Sequence, residues 1–399
     1  MKLARKKSTA NSSAHAPNRG AAVPRKRAGR NSSTRASNSR SEEERRGVRA
    51  ALLRWYRAHH RDLPWRRTRD PYSVWISENM LQQTRVETVI PYYERFMKKF
   101  PDVFALASAD RDAVLGIWAG LGYYGRARNL HAAAQRVVDE FDGRLPCEVE
   151  VLRALPGIGR YTAGAVASIA FDRPEPAVDG NVVRVLARLY GIRNDVKQPQ
   201  TAEALWKRAA ELVRGRAPGD FNQALMELGA TICTPRAPRC LACPLARWCN
   251  ARRNGDAESL PVKAAKVKPK LAYAVAALLL RRGRLLAVRR PPRGLLGGLW
   301  ELPGGSLLAE EKPERGLLRC LRETTGLHVN AATPLGVVEH VFSHRYLFLH
   351  VFHCRESSGR VRLQNFDAHR WLLLEHFTAL PQATVTRKAF ALCGASGAT

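Results

Sequence analysis

From Glu42 to Cys249, apolar side chains recur at three- and four-residue spacing, and this periodicity confines that part of the chain to packed helices. The runs are Val48–Tyr56, Val74–Leu81, Val89–Phe96, Val114–Trp118, Leu130–Val138, Thr162–Ala170, Val182–Tyr190, Ala202–Val213 and Asn222–Leu228. Pro71, Pro91, Pro101, Gly143, Pro146, Pro156 and Pro218 punctuate them. The signal then changes. Residues 251–270 are polar, basic and free of aromatics, and read as a linker. Short apolar runs at Leu271–Leu280 and Leu285–Val288, separated by Arg-Gly, read as a hairpin. Val337–Val341 and Tyr346–Phe352 follow in the same style, with a helical stretch at Pro313–Thr325. The expected architecture is therefore multidomain: an all-α body over 42–250, then an α+β domain over 271–399.

The charge balance indicates the partner. Sixty-six Lys and Arg face 35 Asp and Glu, a formal net charge of +31. Residues 1–40 hold eleven of those cations and no acid, which leaves about +20 on the remainder, so the folded part is itself basic. That surplus favours a polyanion, and nucleic acid above others. Residues 1–41 read as a disordered basic tail, best suited to tethering on DNA, although their lack of acid also fits an organelle transit peptide. The longest apolar run, Leu271–Leu280, is too short to span a bilayer, so no membrane association is expected.

Residues 155–165 (LPGIGRYTAGA) join two helical patterns through Gly157 and Gly159. Glycines there permit positive φ, and the next helix begins at the same place, so backbone N–H groups can hold a phosphate oxygen. The segment resembles the helix-hairpin-helix of the DNA glycosylase superfamily. Two carboxylates suit the chemistry of such a fold, because breaking an N-glycosidic bond needs an acid for the leaving base and an anion beside the sugar cation. Glu78 stands among apolar neighbours, where desolvation should keep it protonated near neutrality. Asp179 precedes a helical run as an N-cap, where the helix dipole should hold it ionised.

Residues 77–84 (SENMLQQT), 120–131 (GLGYYGRARNLH), 155–165 and 178–188 (VDGNVVRVLAR) together resemble the MutY family of adenine glycosylases. The likeness spans roughly residues 46–250. It implies that Glu78 protonates adenine and that Asp179 stabilises, or transiently bonds to, the sugar. It also implies that Gln82, Gln83, Tyr123 and Tyr124 lie near the opened duplex; ordinary core aromatics are the competing reading of the two tyrosines. Tyr161 occupies the hairpin position where bifunctional members of the superfamily carry Lys. Without an amine there no Schiff base forms, so hydrolytic base removal with little or no strand cleavage is expected.

Cys233, Cys240, Cys243 and Cys249 give C-x6-C-x2-C-x5-C, with all four thiols in one loop. Zinc modules usually pair two knuckles, whereas this spacing suits a [4Fe–4S] cluster, which the family resemblance also implies. Four scattered cysteines suggest a reducing compartment. The cluster is expected to position DNA and not to react. Arg236, Arg239 and Arg247 on that loop read equally well as phosphate contacts or solvated charges.

The C-terminal pattern Gly305, Glu311, Arg319-Cys320-Leu321-Arg322-Glu323-Thr324-Thr325-Gly326 resembles a Nudix box. Cys320 and Thr324 replace two of its carboxylates, so nucleotide hydrolysis is not expected. Phe342-Ser343-His344 matches the family's lesion-reading loop, which implies recognition of 8-oxoguanine. The expected substrate is double-stranded DNA carrying adenine opposite 8-oxoguanine, handled by a monomer. A bacterial source would place it with the nucleoid in the cytoplasm, a eukaryotic one in an organelle or nucleus. The rivals are a related lyase acting on oxidised pyrimidines, a non-catalytic DNA-binding iron–sulfur protein, and a nucleotide pyrophosphatase.

Overall fold

A computed structural model of the chain describes residues 41–264, 269–342, 345–355 and 357–395. The basic segment 1–40, Ser343 and His344 lie outside the described residues. The first part is helical: α1 (Glu42–His59), α2 (Pro71–Leu81), α3 (Val86–Lys99), α4 (Val103–Ala107), α5 (Arg111–Trp118) and α6 (Gly125–Phe141). It continues through α7 (Val149–Ala154), α8 (Arg160–Ile169), α9 (Gly180–Tyr190), α10 (Pro199–Val213), α11 (Pro218–Thr231) and α12 (Asn250–Arg253). Local chemistry sets the starts. Ser41 and Glu44 form a capping box on α1, while Asp70 caps α2 with Pro71 in its first turn.

Pro91 departs from expectation. It sits inside α3, not at a boundary. Lying in the helix's second turn, it costs one backbone bond without ending the element. The short helices α4 and α7 carry too few turns to show a period.

Two apolar cores hold the helices. One gathers Val48 and Leu52 of α1 with Leu186 of α9, Leu212 of α10 and Leu228 of α11. The other surrounds α2, whose residues Tyr72 to Met80 are all buried. A helix buried on every face must lie in the centre, and α2 does. Close approach depends on small residues in α8: a Cβ on Gly164 would lie 2.1 Å from the Pro176 carbonyl oxygen. This brings the segment leading to Asp179 hard against α8.

The expected linker is corrected in its first half. Ala251 and Leu260 are buried, Arg188 donates to the Leu260 carbonyl (2.9 Å), and Val196 N–H donates to Val262 (3.1 Å). Polar composition concealed two apolar anchors, so residues 251–264 finish the helical body.

The second part is a mixed sheet. Strands β1 (Lys270–Arg281), β2 (Arg284–Arg289), β3 (Trp300–Glu301) and β4 (Gly304–Ser306) precede helix α13 (Pro313–Thr325). Then come β5 (His328–Val329), β6 (Ala332–Val341), β7 (Arg345–Cys354), β8 (Ser357–Ser358), β9 (Ala368–Leu372), α14 (Leu374–Phe377) and α15 (Thr384–Ala395). The order is β3-β2-β1-β7-β6, with β1 and β7 parallel. Arg282 and Gly283, at φ 49° and 71°, make the tight β1–β2 turn that the Arg-Gly pair signalled. The unbroken apolar run of β1 follows from burial on both faces: Val275, Ala277 and Leu279 face the core under α13, while Ala276 and Leu278 face the other.

That second face is continuous with the helical core around α2, through Leu299, Trp300 and Val385. Polar contacts reinforce it. Arg128 donates to the Gly297 carbonyl (2.6 Å), and the Tyr124 hydroxyl donates to that of Gln382 (2.9 Å). Among the described residues, no helix is long and apolar enough to cross a membrane.

Candidate active site

One cleft of about 700 Å³ collects Glu78, Gln82 and Gln83 from the end of α2, Gly157, Gly159 and Tyr161 from the hairpin, and Asp179 from the start of α9. Helix α2 packs directly against α8, and α11 packs against both α8 and α9, which creates this convergence.

Glu78 is 5 % exposed. Burial raises its pKa to about 7; Asp179 adds to the rise, while the Tyr161 hydroxyl and Arg66 oppose it. Tyr161 donates a short hydrogen bond to Oε2 of Glu78, and its oxygen also lies 3.3 Å from the Met226 sulfur. Asp179 caps α9, accepting from Val182 N–H (2.7 Å) and from the Asn181 amide (2.8 Å). Its pKa moves up. Burial exceeds the lowering by those donors, so the cap does not dominate as the sequence suggested.

In the hairpin only Gly157 takes positive φ (77°), and a Cβ there would meet Asn129 at 2.6 Å. Gly159 is extended at φ −88°, and its missing side chain opens onto the cleft. The positive-φ expectation is corrected for Gly159: it keeps the wall bare beside the first turn of α8. The Gln82 amide donates to Thr162 (3.1 Å), and Gln83 adopts φ 58° as the chain leaves α2.

The two tyrosines lie elsewhere. Tyr123 is 50 % exposed and does not line the cleft. Tyr124 is 5 % exposed, with its hydroxyl committed to Gly120 N–H and the Gln382 carbonyl. For Tyr124 the core-aromatic reading replaces the DNA-contact one, because the C-terminal domain covers it.

Sequence reasoning passed over an ion-pair cluster on the cleft wall. The Glu227 side chain is wholly buried and accepts from Arg61 (2.8 Å) and Arg66 (2.8 Å). The signal was available: Glu227 is a lone acid between Leu225 and Leu228, and an unpaired charge is rarely buried. A second network runs from the site to the cysteine loop. Arg184 donates to Asn181 (2.8 Å), to Gly229 (2.7 Å) and to the Cys233 carbonyl (2.7 Å), while Arg188 reaches the Cys233 sulfur (3.3 Å).

Cys233, Cys240, Cys243 and Cys249 line one cavity, and none of the four is paired in a disulfide. Burial pushes Cys243 up to about 12 and raises Cys249, so a soft, strongly bound cation centre would be needed to hold them as thiolates. Among the described residues, no group of three or more His, Cys, Asp or Glu is gathered to hold a metal ion. Four thiols spaced around a cavity fit a multi-atom cluster better than a single ion. Of the loop cations, Arg236 is exposed, Arg239 donates to the Thr231 carbonyl (2.5 Å) and Arg247 stacks on Trp248 (4.7 Å).

In the C-terminal domain both remaining carboxylates of the box bind one cation. Arg319 pairs with Glu311 (2.6 Å) and Glu323 (2.9 Å), which holds Glu311 near 2. Phe342 is half-buried; its N–H donates to the Arg345 carbonyl (2.9 Å), and its ring meets His340 edge-on at 4.6 Å.

Residues 76–211 match the HhH-GPD superfamily of base excision DNA repair proteins, and residues 274–392 match the NUDIX domain. The chain is 38% identical to the adenine DNA glycosylase of Rattus norvegicus over 85% of this chain and 76% of that protein. The chain belongs to the adenine DNA glycosylase family. Its likeness to the Homo sapiens adenine DNA glycosylase is also 38%, covering 86% of this chain and 73% of the other. A solved structure of a thermostable thymine-DNA glycosylase is 32% identical, covers 53% of this chain and 98% of its own, and superposes with a TM-score of 0.49. The glycosylase is thus an enzyme of base excision repair that removes adenine from DNA.

Proposed function

We propose that the glycosylase hydrolyses adenine from its mispair with 8-oxoguanine, with Glu78 as the acid and Asp179 as the anion beside the sugar, and leaves the strand intact. The observation that carries this reading is the shared cleft, in which one carboxyl is held near pKa 7 while a second stands capped at a helix start. The hairpin around Gly157 and Gly159 grips the backbone phosphate while adenine is extruded into the cleft. Gln82 and Gln83 fill the space it vacates.

Tyr161 donates to Oε2 of Glu78, so the acidic proton resides on the other oxygen. That proton passes to a ring nitrogen of adenine. The N-glycosidic bond breaks, its electron pair leaves with the base, and adenine departs neutral. The cation remaining on the sugar is stabilised by ionised Asp179. Water then adds to the anomeric carbon and gives up a proton to Glu78, restoring the acid. Among the described residues lining the cleft there is no lysine. That described lining offers no amine to capture the sugar, which favours simple base removal.

We assign a [4Fe–4S] cluster to Cys233, Cys240, Cys243 and Cys249. When bound it would supply structural rigidity to the loop, and the proton chemistry of the cleft does not pass through it. Recognition of 8-oxoguanine is assigned to Phe342, Ser343 and His344, with Ser343 bonding the altered edge of the lesion.

Single-turnover assays on duplexes with adenine opposite 8-oxoguanine, guanine or thymine, each with and without hot alkali, test the whole reading. Strand breaks should appear only after alkali; breaks without it would restore the lyase alternative. Deleting the C-terminal domain would expose the core it shares with the helices, so Ser343→Ala is the cleaner probe. It should reduce the preference for 8-oxoguanine over guanine by about tenfold, the worth of one hydrogen bond. An unchanged preference would remove Ser343 from lesion reading.

Tyr161→Phe tests the acid. The hydroxyl lowers the Glu78 pKa, so its loss should move the alkaline limb of the rate profile upward from about 7. A downward or absent shift contradicts Glu78 as the titrating group.

A further inference from the structure

Arg126 is a half-buried cation without a carboxylate partner among the described residues. Its Nη1 donates to the main-chain carbonyls of Asn79 (2.7 Å), Met80 (2.9 Å) and Gln82 (2.7 Å). Its Nη2 reaches Thr84 Oγ1 and the Gly122 carbonyl, both at 3.3 Å. The guanidinium lies over the rings of Trp118 (5.4 Å) and Tyr123 (5.5 Å). Burial pulls its pKa down to about 10, and Nε is buried without a partner. A cation so placed carries a desolvation cost that only well-made bonds offset.

Four of the five acceptors belong to one object, the C-terminal end of α2 and the residues just beyond it. The last carbonyls of a helix lack intrahelical partners, and the negative end of the helix dipole lies there too. This end is where the chain turns sharply, with Gln82 at ψ 111° and Gln83 at φ 58°. Gln82, Gln83 and Thr84 then line the cleft, a short step from Glu78.

The turn bearing Arg126 is held from its other side. Gly120, Gly122 and Tyr123 all take positive φ (104°, 77° and 48°), which folds the segment tightly. Tyr124 anchors it, accepting from Gly120 N–H (3.1 Å) and donating to Gln382 of the C-terminal domain (2.9 Å). The seven-residue span Gly120–Arg126 therefore touches the C-terminal domain with Tyr124 and the end of the acid-bearing helix with Arg126.

We propose that the Gly120–Arg126 turn is a positioning element for base extrusion: the C-terminal domain fixes it through Tyr124, and Arg126 fixes the end of α2 that presents Gln82 and Gln83. This rests on the reading that the cleft receives an extruded adenine. Arg126 is not itself catalytic. The acidity of Glu78 is set by burial, Tyr161, Asp179 and Arg66, so Arg126 governs geometry and not proton affinity.

The test uses the full chain, with Arg126→Lys and Tyr124→Phe, on duplexes carrying 2-aminopurine at the target position opposite 8-oxoguanine. Lysine keeps the charge, but its three donors cannot serve the five acceptors. The fluorescence rise on extrusion should slow about tenfold in Arg126→Lys and about threefold in Tyr124→Phe. Excision of adenine should fall by the same factors, with the alkaline midpoint of the rate profile unmoved. A purely structural role would lower thermal stability and leave extrusion by the folded fraction unchanged, and that result overturns the proposal. So does a shifted midpoint. Should Arg126→Lys fail to fold, Tyr124→Phe decides alone, since it removes a single oxygen. A wild-type enzyme that fails to release adenine would count against the assignment of the cleft; an active wild type with unaltered variants counts against the turn.

Discussion

Glu78→Gln is expected to lower the single-turnover rate of adenine excision by about a thousandfold or more while making the folded protein more stable above neutral pH. The rate loss follows from removing the proton donor, a contribution usually worth ~10²–10⁴. The stability gain follows from the same burial that makes Glu78 an acid. Its carboxyl has a folded pKa of about 7 against an ordinary value of 4.5. Below 4.5 both folded and unfolded chains hold the proton, and Gln resembles the native residue. Above 7 the folded wild type must ionise a buried group that the unfolded chain ionises freely, so stability is lost as pH rises through the folded pKa. The gap corresponds to about 3 kcal/mol. Urea unfolding of both proteins should therefore diverge by about that amount at pH 8 and converge as pH falls toward 4.5. An equal gain at every pH would mean that the substitution acts through packing, and an active variant would remove Glu78 from the mechanism.

Asp179→Asn should also stop turnover, by about a thousandfold or more, the scale expected for losing an electrostatic partner of a developing charge. The substitution is conservative in structure. Asn caps a helix about as well as Asp, so the bond to Val182 N–H and the start of α9 should persist. Only the charge is lost. Burial raises the Asp179 pKa, so the neutral side chain should, if anything, add stability above the folded pKa. Binding to a duplex with adenine opposite 8-oxoguanine should survive, measured by band shift beside single-turnover kinetics. Retained excision would show that the cleft stabilises the sugar by other means.

Helical periodicity disclosed the α body because amphipathic faces must match a core, and the local alternatives at Pro71, Asp70 and Ser41 agree with it. The same local information placed the hairpin, the N-cap at Asp179 and the run of four thiols, since each depends on residue type at short spacing. The β1–β2 turn was equally local. What the sequence could not convey was which distant groups meet. Glu78 owes its raised proton affinity first to burial that no spacing rule measures and then to Asp179, against the opposing hydroxyl of Tyr161, and both residues lie far along the chain. Arg61 and Arg66 meet Glu227 only because α11 packs beside the segment after α1. Tyr124 carried both a DNA-contact and a core-aromatic reading until the C-terminal domain covered it, and Arg126, though inside the 120–131 segment, had no role assigned to it. Periodicity and capping are interactions among near neighbours, written directly in residue order. Desolvation and ion pairing across the cleft depend on packing among remote elements, and only the tertiary structure decides them.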